Sequence, residues 1–230
     1  MSLVYALTGT LNLADLALRV PAVQGPEAVM LQAAGLILLV VFGFKAALMP
    51  LSMWLPATYA AASAPVTALF AIMTKVGVYA ILRVHGVVFG GDQGLAAAAF
   101  NVQSLLLPLA LLTSVVAVLG ALAAHTLPRL LAWLTVVSVG TVLTALGVGG
   151  AAAWSAALYY LAQSTLVVAG LFLLAELIST QRGETGGRLT SGQAVAQPQW
   201  LGMLLLFGAA TVAGLPPLPG FIGCRYDSDE

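Results

Sequence analysis

This sequence predicts an all-α fold: a polytopic bundle of transmembrane helices, interrupted near Pro50 and Pro216. Three observations predict it. Hydrophobic residues make up 61% of the 230 and charged residues only 7%, whereas a soluble domain carries about 25% charged residues. The apolar residues gather into stretches of about 20, the length that crosses a hydrocarbon core. The few charges fall mainly between those stretches.

The elements follow in order. Residues 1–12 read as the end of an earlier helix. The first complete span is 28–56, AVMLQAAGLILLVVFGFKAALMPLSMWLP. Pro50 removes a backbone donor and leaves the Ala46 carbonyl without its usual partner, so this helix should kink or break just after Lys45. Spans over 65–84, 104–125, 129–148 and 154–178 complete a set of five. The segment 200–223 starts as a helix and meets GLPPLPG at 214–220, where Pro216, Pro217 and Pro219 interrupt it. Non-helical backbone at membrane depth survives only where protein or a wet cavity surrounds it. The tail 224–230 is hydrophilic and cannot complete a membrane helix.

Arg19 and Glu27 precede the first span, Arg83 and His85 end the second, and His125 and Arg129 bracket the turn between the third and fourth. Arg182, Glu184 and Arg188 lie in the polar loop QRGETGGRLTSGQAVAQPQ. Counting crossings puts Arg129, Arg182 and Arg188 on one face and Arg19 and Arg83 on the other. The excess of basic residues marks the first face as cytoplasmic. Trp54, Trp133, Trp154 and Trp200 fall near span ends, as interfacial aromatics should.

Composition also excludes classes. Eight basic and eight acidic residues balance, so no basic surface suggests nucleic acid. The single cysteine, Cys224, excludes an intrachain disulfide and a cysteine-only metal site. No phosphate loop, nucleotide fingerprint, nucleophile–base pair or metal-ligand cluster is present, so no catalytic residue, cofactor or metal is expected. The start, MSLVYALTGTLNLADL, lacks the basic n-region and cleavage pattern of a signal peptide.

The chemistry rests on two lysines, Lys45 and Lys75, the only ones in the chain, each in the middle of an apolar stretch. A lysine at the bilayer centre costs about 3 kcal/mol on insertion scales, and intramembrane ionisable residues mark ion and proton pathways. The two are spaced symmetrically about Ala60 in the connecting loop, so antiparallel helices would bring them to similar depth and facing the bundle interior. Like charges at close range disfavour each other, so a proton on one lysine discourages charge on the other. Together with carbonyls freed beside Pro50, this describes a lateral proton relay; the alternative is that each lysine only packs or snorkels. Further polar groups could extend the path: Glu176 late in its span, His125 at a helix end, and the patch Gln163, Ser164 and Thr165. Each has a plainer reading, as a solvated glutamate, a surface or capping histidine, or interhelical packing. His85, beside Arg83, reads as an outer-face residue.

The run GFKAALMPLSMWLPATYAAASAPVTALFAIMTKVGVYAILR (43–83) resembles the core of the antiporter-like membrane subunits. These are shared by respiratory complex I, membrane-bound hydrogenases and Mrp/Pha-type monovalent cation:proton antiporters. Lys45, Pro50, Trp54, Leu55, Pro56, Ala64, Pro65, Val66 and Lys75 fit the family pattern. RLLAWLTVVSVGT (129–141), YYLAQSTLVVAGLFLLAEL (159–177) and GLPPLPGFIG (214–223) match as well. YAAASAPV and STLVVAGLFLLAELI–QRG most resemble the D-type subunit of the Mrp/Pha antiporters.

The resemblance implies a cofactor-free subunit of a Na+ or K+:proton antiporter, a secondary transporter rather than an enzyme, multi-pass in a bacterial inner (plasma) membrane. Its implied partners are the other membrane subunits of the complex, protons, Na+ or K+, and the lipid bilayer. The alternatives are a proton-translocating subunit of complex I (NADH:quinone oxidoreductase) or a hydrogenase, and a truncated, non-transporting remnant. On this reading residues 1–230 form a single membrane domain, a fragment of a longer subunit. In many members a histidine stands where this chain has Gln163. After GFIG the family continues with a lysine or glutamate in a second half-helix. Here the chain runs from Cys224 to Glu230 instead and reads as frameshifted or truncated.

Overall fold

The structure, a computed structural model, describes residues 1–89, 102–183, 186–189 and 197–212. Among them every regular element is helical. Two short helices, α1 (Ser2–Thr8) and α2 (Leu13–Arg19), open the chain with a 56° bend between them. Gly9, at φ 73°, closes α1, and the Asn12 side chain caps α2 by accepting from Ala14 N at 3.1 Å. The second of these helices lay outside the sequence expectation. Arg19 turns back, donating to Thr8 O at 2.9 Å, and ties the two together.

The long helices follow: α3 (Pro26–Ala46), α5 (Ala64–Ile81, continued as π-helical turns through Val88), α6 (Val102–Leu122), α7 (Leu127–Val148) and α8 (Ala151–Gln181). Among the described residues, five helices are thus long and apolar enough to cross a membrane. The last described helix, α9 (Pro198–Val212), lies against α8. Pro216, Pro217, Pro219 and the tail 224–230 lie outside the described residues.

The expected break at Pro50 is present and more complete than a kink. Ala47 adopts the left-handed region (φ 59°, ψ 45°) and stops α3, and a separate short helix, α4 (Trp54–Ala61), restarts the chain. Leu48 N returns to Gly43 O at 2.8 Å, which satisfies one of the carbonyls that the helix end exposes. Trp54 clamps the break by stacking on Phe44 at 5.6 Å and donating Nε1–H to the Phe44 carbonyl at 3.3 Å. Ala60 therefore lies within a helix, and the turn into α5 is only Ala62–Ser63.

Between α3 and α5 the contact is close because α5 carries glycine there. A Cβ at Gly77 would sit 2.9 Å from Ala46 N and 3.0 Å from Lys45 Cγ. At the α6–α7 interface Gly140 plays the same part, lying against Ser114 Oγ. Small residues at such points let apolar helices approach and gain dispersion contacts where no hydrophobic force drives association.

The apolar cores are stacked along the helices. On α7 one core takes Leu127, Leu131 and Val136, and the next takes Val139, Val142, Leu143 and Leu146. A buried polar layer separates them. It consists of Thr135 and Ser138 on α7, Thr74 and Lys75 on α5, Thr113 on α6 and Ser164 on α8. The α3 break lies at the same level, since Ala46 belongs to one core and Ala47 to the other.

Candidate functional site

The hydroxyls of this layer share one local geometry. Each donates its proton to a carbonyl of its own helix: Thr74 to Phe70 O at 2.9 Å, Thr113 to Leu109 O at 2.6 Å, Ser138 to Thr135 O at 2.7 Å. Such back-bonding leaves the oxygen lone pairs free as acceptors. Three donors from other elements use them. Met49 N, in the α3 break, donates to Thr113 Oγ1 at 3.0 Å; the Lys75 ammonium donates to Ser138 Oγ; and Tyr59 of α4 and Thr74 share a hydroxyl–hydroxyl bond. The layer is thus cross-linked by hydrogen bonds between helices that are otherwise apolar.

Lys75 is 2% exposed, and Ser138 is fully buried beneath it. Among the described residues Arg19 pairs with Asp15 at the surface at 3.3 Å, and no carboxylate there pairs with the Lys75 ammonium. Lys45 departs from expectation. It reaches the same level as Lys75, with its stem against Gly77, but its side chain is exposed instead of facing the interior. Lys45 stands on the last turn of α3, one residue before the helix ends at the break. Its surroundings form a cavity of about 150 Å³ bordered by Trp54, Thr58, Tyr59, Phe70, Met73 and Thr74.

The remaining expected residues divide. Ser164 is buried in the polar layer, with its hydroxyl on Leu161 O at 3.3 Å. Thr165 also bonds back to Leu161 O. Gln163 points elsewhere: its Nε2 donates to Thr211 O of α9 at 3.2 Å, and its Oε1 is buried with no partner among the described residues. Tyr160 joins it by donating to Val212 O at 3.4 Å. Glu176 is half-buried at a second cavity, about 190 Å³, with Tyr59, Ser63, Thr67, Pro128 and Ser179. His125 is exposed, and its carbonyl accepts from Leu189 N at 3.0 Å. That bond and Leu127 N to Gly187 O at 2.7 Å bring the Arg129 turn and the segment after α8 to the same end of the bundle.

Two residues escaped the sequence reading. Ser138 had a usable signal, since Thr135, Ser138, Thr141 and Thr144 recur at three-residue spacing along α7, which keeps neighbours in the series near one face. His85 had none. Far from being an outer-face residue, it is 2% exposed, stacked on Phe89 at 5.7 Å and hydrogen-bonded through Nε2 to Gly35 O at 3.0 Å. The π-helical turns over Leu82–Val88 rotate it inward against α3.

Fold and site together define a polytopic helical membrane protein built around a buried polar layer with a lysine in it. The chain belongs to the NADH:quinone oxidoreductase/Mrp antiporter transmembrane family, whose pattern matches residues 1–226. A protein of Rhizobium meliloti (strain 1021), described as the probable D-type subunit of a K(+)/H(+) antiporter, is 38% identical over 245 residues, covering 96% of this chain and 44% of that protein. The D-type subunit of a Na(+)/H(+) antiporter from Alkalihalophilus pseudofirmus is 37% identical, covering 95% and 43%. Among solved structures, a chain of the Mrp complex from Dietzia sp. DQ12-45-1b superposes with a TM-score of 0.82 at 28% identity, covering 98% of this chain and 40% of that one. A chain of respiratory complex I from Thermus thermophilus does so at 0.80 and 27%, covering 98% and 46%. The chain therefore spans less than half the length of the curated relatives it matches.

Proposed function

We propose that this chain is part of the D-type membrane subunit of a multi-subunit monovalent cation:proton antiporter and carries a segment of its proton path. The observation that carries the reading is Lys75, buried in the polar layer on one hydroxyl, level with Lys45 across the Gly77 contact. A charged group at that depth is costly and has no structural need to be there, since helices of this kind pack without one. Held by a hydroxyl and, among the described residues, not locked in an ion pair, Lys75 is free to exchange its proton. Charge on either lysine discourages charge on the other, which moves a proton onward. The curated relatives named as Na(+)/H(+) and K(+)/H(+) antiporter subunits support the assignment, as do the multi-subunit membrane complexes among the structural neighbours. Bacterial relatives support placement in a bacterial inner membrane, with the Arg129 and Arg188 end cytoplasmic.

The second reading, a redox-driven proton pump subunit, is favoured by the likeness to complex I. The higher identity to the antiporter subunits favours the first. The test is cation-dependent proton exchange in inside-out vesicles containing the assembled complex. Lys75→Met and Lys45→Met should each lower the rate about a hundredfold, within the range that proton-transfer groups contribute, with assembly unchanged. Lys45→Met should not alter thermal stability, because the side chain is exposed. Near-normal exchange by an assembled Lys75→Met complex would show that lysine to be structural.

A further inference from the structure

The two cavities described above share a wall, and that wall is Tyr59. One lies towards the α4–α5 turn and holds Glu176; the other holds Lys45. Tyr59 lines both, and its bonding partner Thr74 lines the Lys45 cavity. We propose that protons pass between the membrane face bearing the α4–α5 turn and Lys45 through a hydrated vestibule collected by Glu176 and gated by the Tyr59–Thr74 hydroxyl pair. This rests on the lysine reading above and adds the route by which the lysines are reached.

The vestibule suits water. Its roughly 190 Å³ is lined by a carboxylate and by the hydroxyl-bearing residues Ser63, Thr67, Ser179 and Tyr59. A water occupies about 30 Å³ and needs two to four polar partners, which such a lining supplies. The inner wall suits a gate. Tyr59 is 1% exposed and wedged among aromatic rings, with centroids 5.9 Å from Phe172, 6.3 Å from Phe70 and 6.4 Å from Trp54. Thr67 Oγ1 holds its backbone carbonyl at 3.2 Å. With the ring held by these neighbours, Tyr59 stands between the two cavities, and its hydroxyl reaches Thr74 on the Lys45 side.

The proton count balances at every step. An excess proton on a vestibule water passes to the Tyr59 hydroxyl, leaving that water neutral, as Tyr59 passes its own proton to Thr74 Oγ1. Thr74 turns its O–H from the Phe70 carbonyl towards the Lys45 cavity and releases a proton to water there. Each hydroxyl ends with one proton, and reorientation resets the pair. A ring-anchored phenol can do this because it both donates and accepts. A chain of cavities carrying ions instead of protons would need an open passage, which the aromatic collar denies.

The experiment uses the assembled complex with Cys224→Ser in inside-out vesicles, assayed for cation-dependent proton exchange. Tyr59→Phe keeps the ring and removes the hydroxyl; the rate should fall at least about tenfold, and Tyr59→His, which can again accept and donate, should recover part of it. Ser63→Cys, exposed at the vestibule, should lose exchange when a charged thiol reagent is applied from the face bearing the α4–α5 turn, and not from the other. A labelled Leu173→Cys control, on an exposed apolar part of α8, should keep its rate. If Tyr59→Phe fails to assemble, Thr74→Val and the Ser63 label decide. Rates within twofold of wild type for the hydroxyl variants or the labelled Ser63→Cys overturn the route. If Lys75→Met abolishes exchange in the same vesicles, that outcome leaves the lysine reading standing; if Lys75→Met is also silent, both fall.

Discussion

Lys75 of α5 and Ser138 of α7, 63 residues apart in the chain, meet in a buried hydrogen bond in which the ammonium donates and the serine oxygen accepts. The serine can accept because its own proton is already committed to Thr135 O at 2.7 Å. One hydroxyl thus holds the buried cation in place without neutralising it.

That relationship sets a double-mutant cycle. Ser138→Ala should destabilise the protein by about 1–3 kcal/mol while Lys75 is present, the cost of leaving a buried donor without a partner. In a Lys75→Met background the same change should cost almost nothing, since no donor remains to be orphaned. Thermal or denaturant unfolding of the four proteins in detergent measures the coupling. Equal costs in both backgrounds would mean that the bond does not contribute.

Gly77 controls how the two lysines approach. Gly77→Leu should push the end of α3 away from α5, because even a Cβ there meets Ala46 N at 2.9 Å. Overpacking of this kind costs about 1–3 kcal/mol. Proton exchange should fall along with stability. A fully stable, fully active Gly77→Leu complex would show that the close approach is dispensable.

Sidedness follows from the backbone pairing at the end of the bundle. His125→Cys and Arg188→Cys should label from one membrane face, because Leu189 N bonds the His125 carbonyl and Leu127 N bonds the Gly187 carbonyl. Arg83→Cys, exposed near the other end of α5, should label from the opposite face. Labelling of all three from one side would contradict the order of crossings.

What could be read in the sequence is what local chemistry decides. Run length and apolarity set the spans, because a helix that satisfies its own backbone is the structure a hydrocarbon solvent allows an isolated segment. Pro50 set the break after Lys45, because a missing donor acts on the carbonyl one turn earlier wherever the helix packs. The lysines stood out because charge at such depth is costly in any arrangement.

Which side of a helix meets which neighbour was decided only by the tertiary structure. The same apolar pattern surrounds each helix, so no amphipathic stripe says which way a side chain turns. Lys75 therefore found Ser138, while Gln163, expected beside the lysines, turned to Thr211 on α9. Lys45 emerged exposed at the end of α3, and π-helical turns carried His85 into the interior. The polar layer as a whole was invisible in the sequence, since its hydroxyls come from four helices and share only a height. Their common depth depends on how far each helix slides against the next, which small-residue contacts such as Gly77 and Gly140 determine and linear spacing does not record.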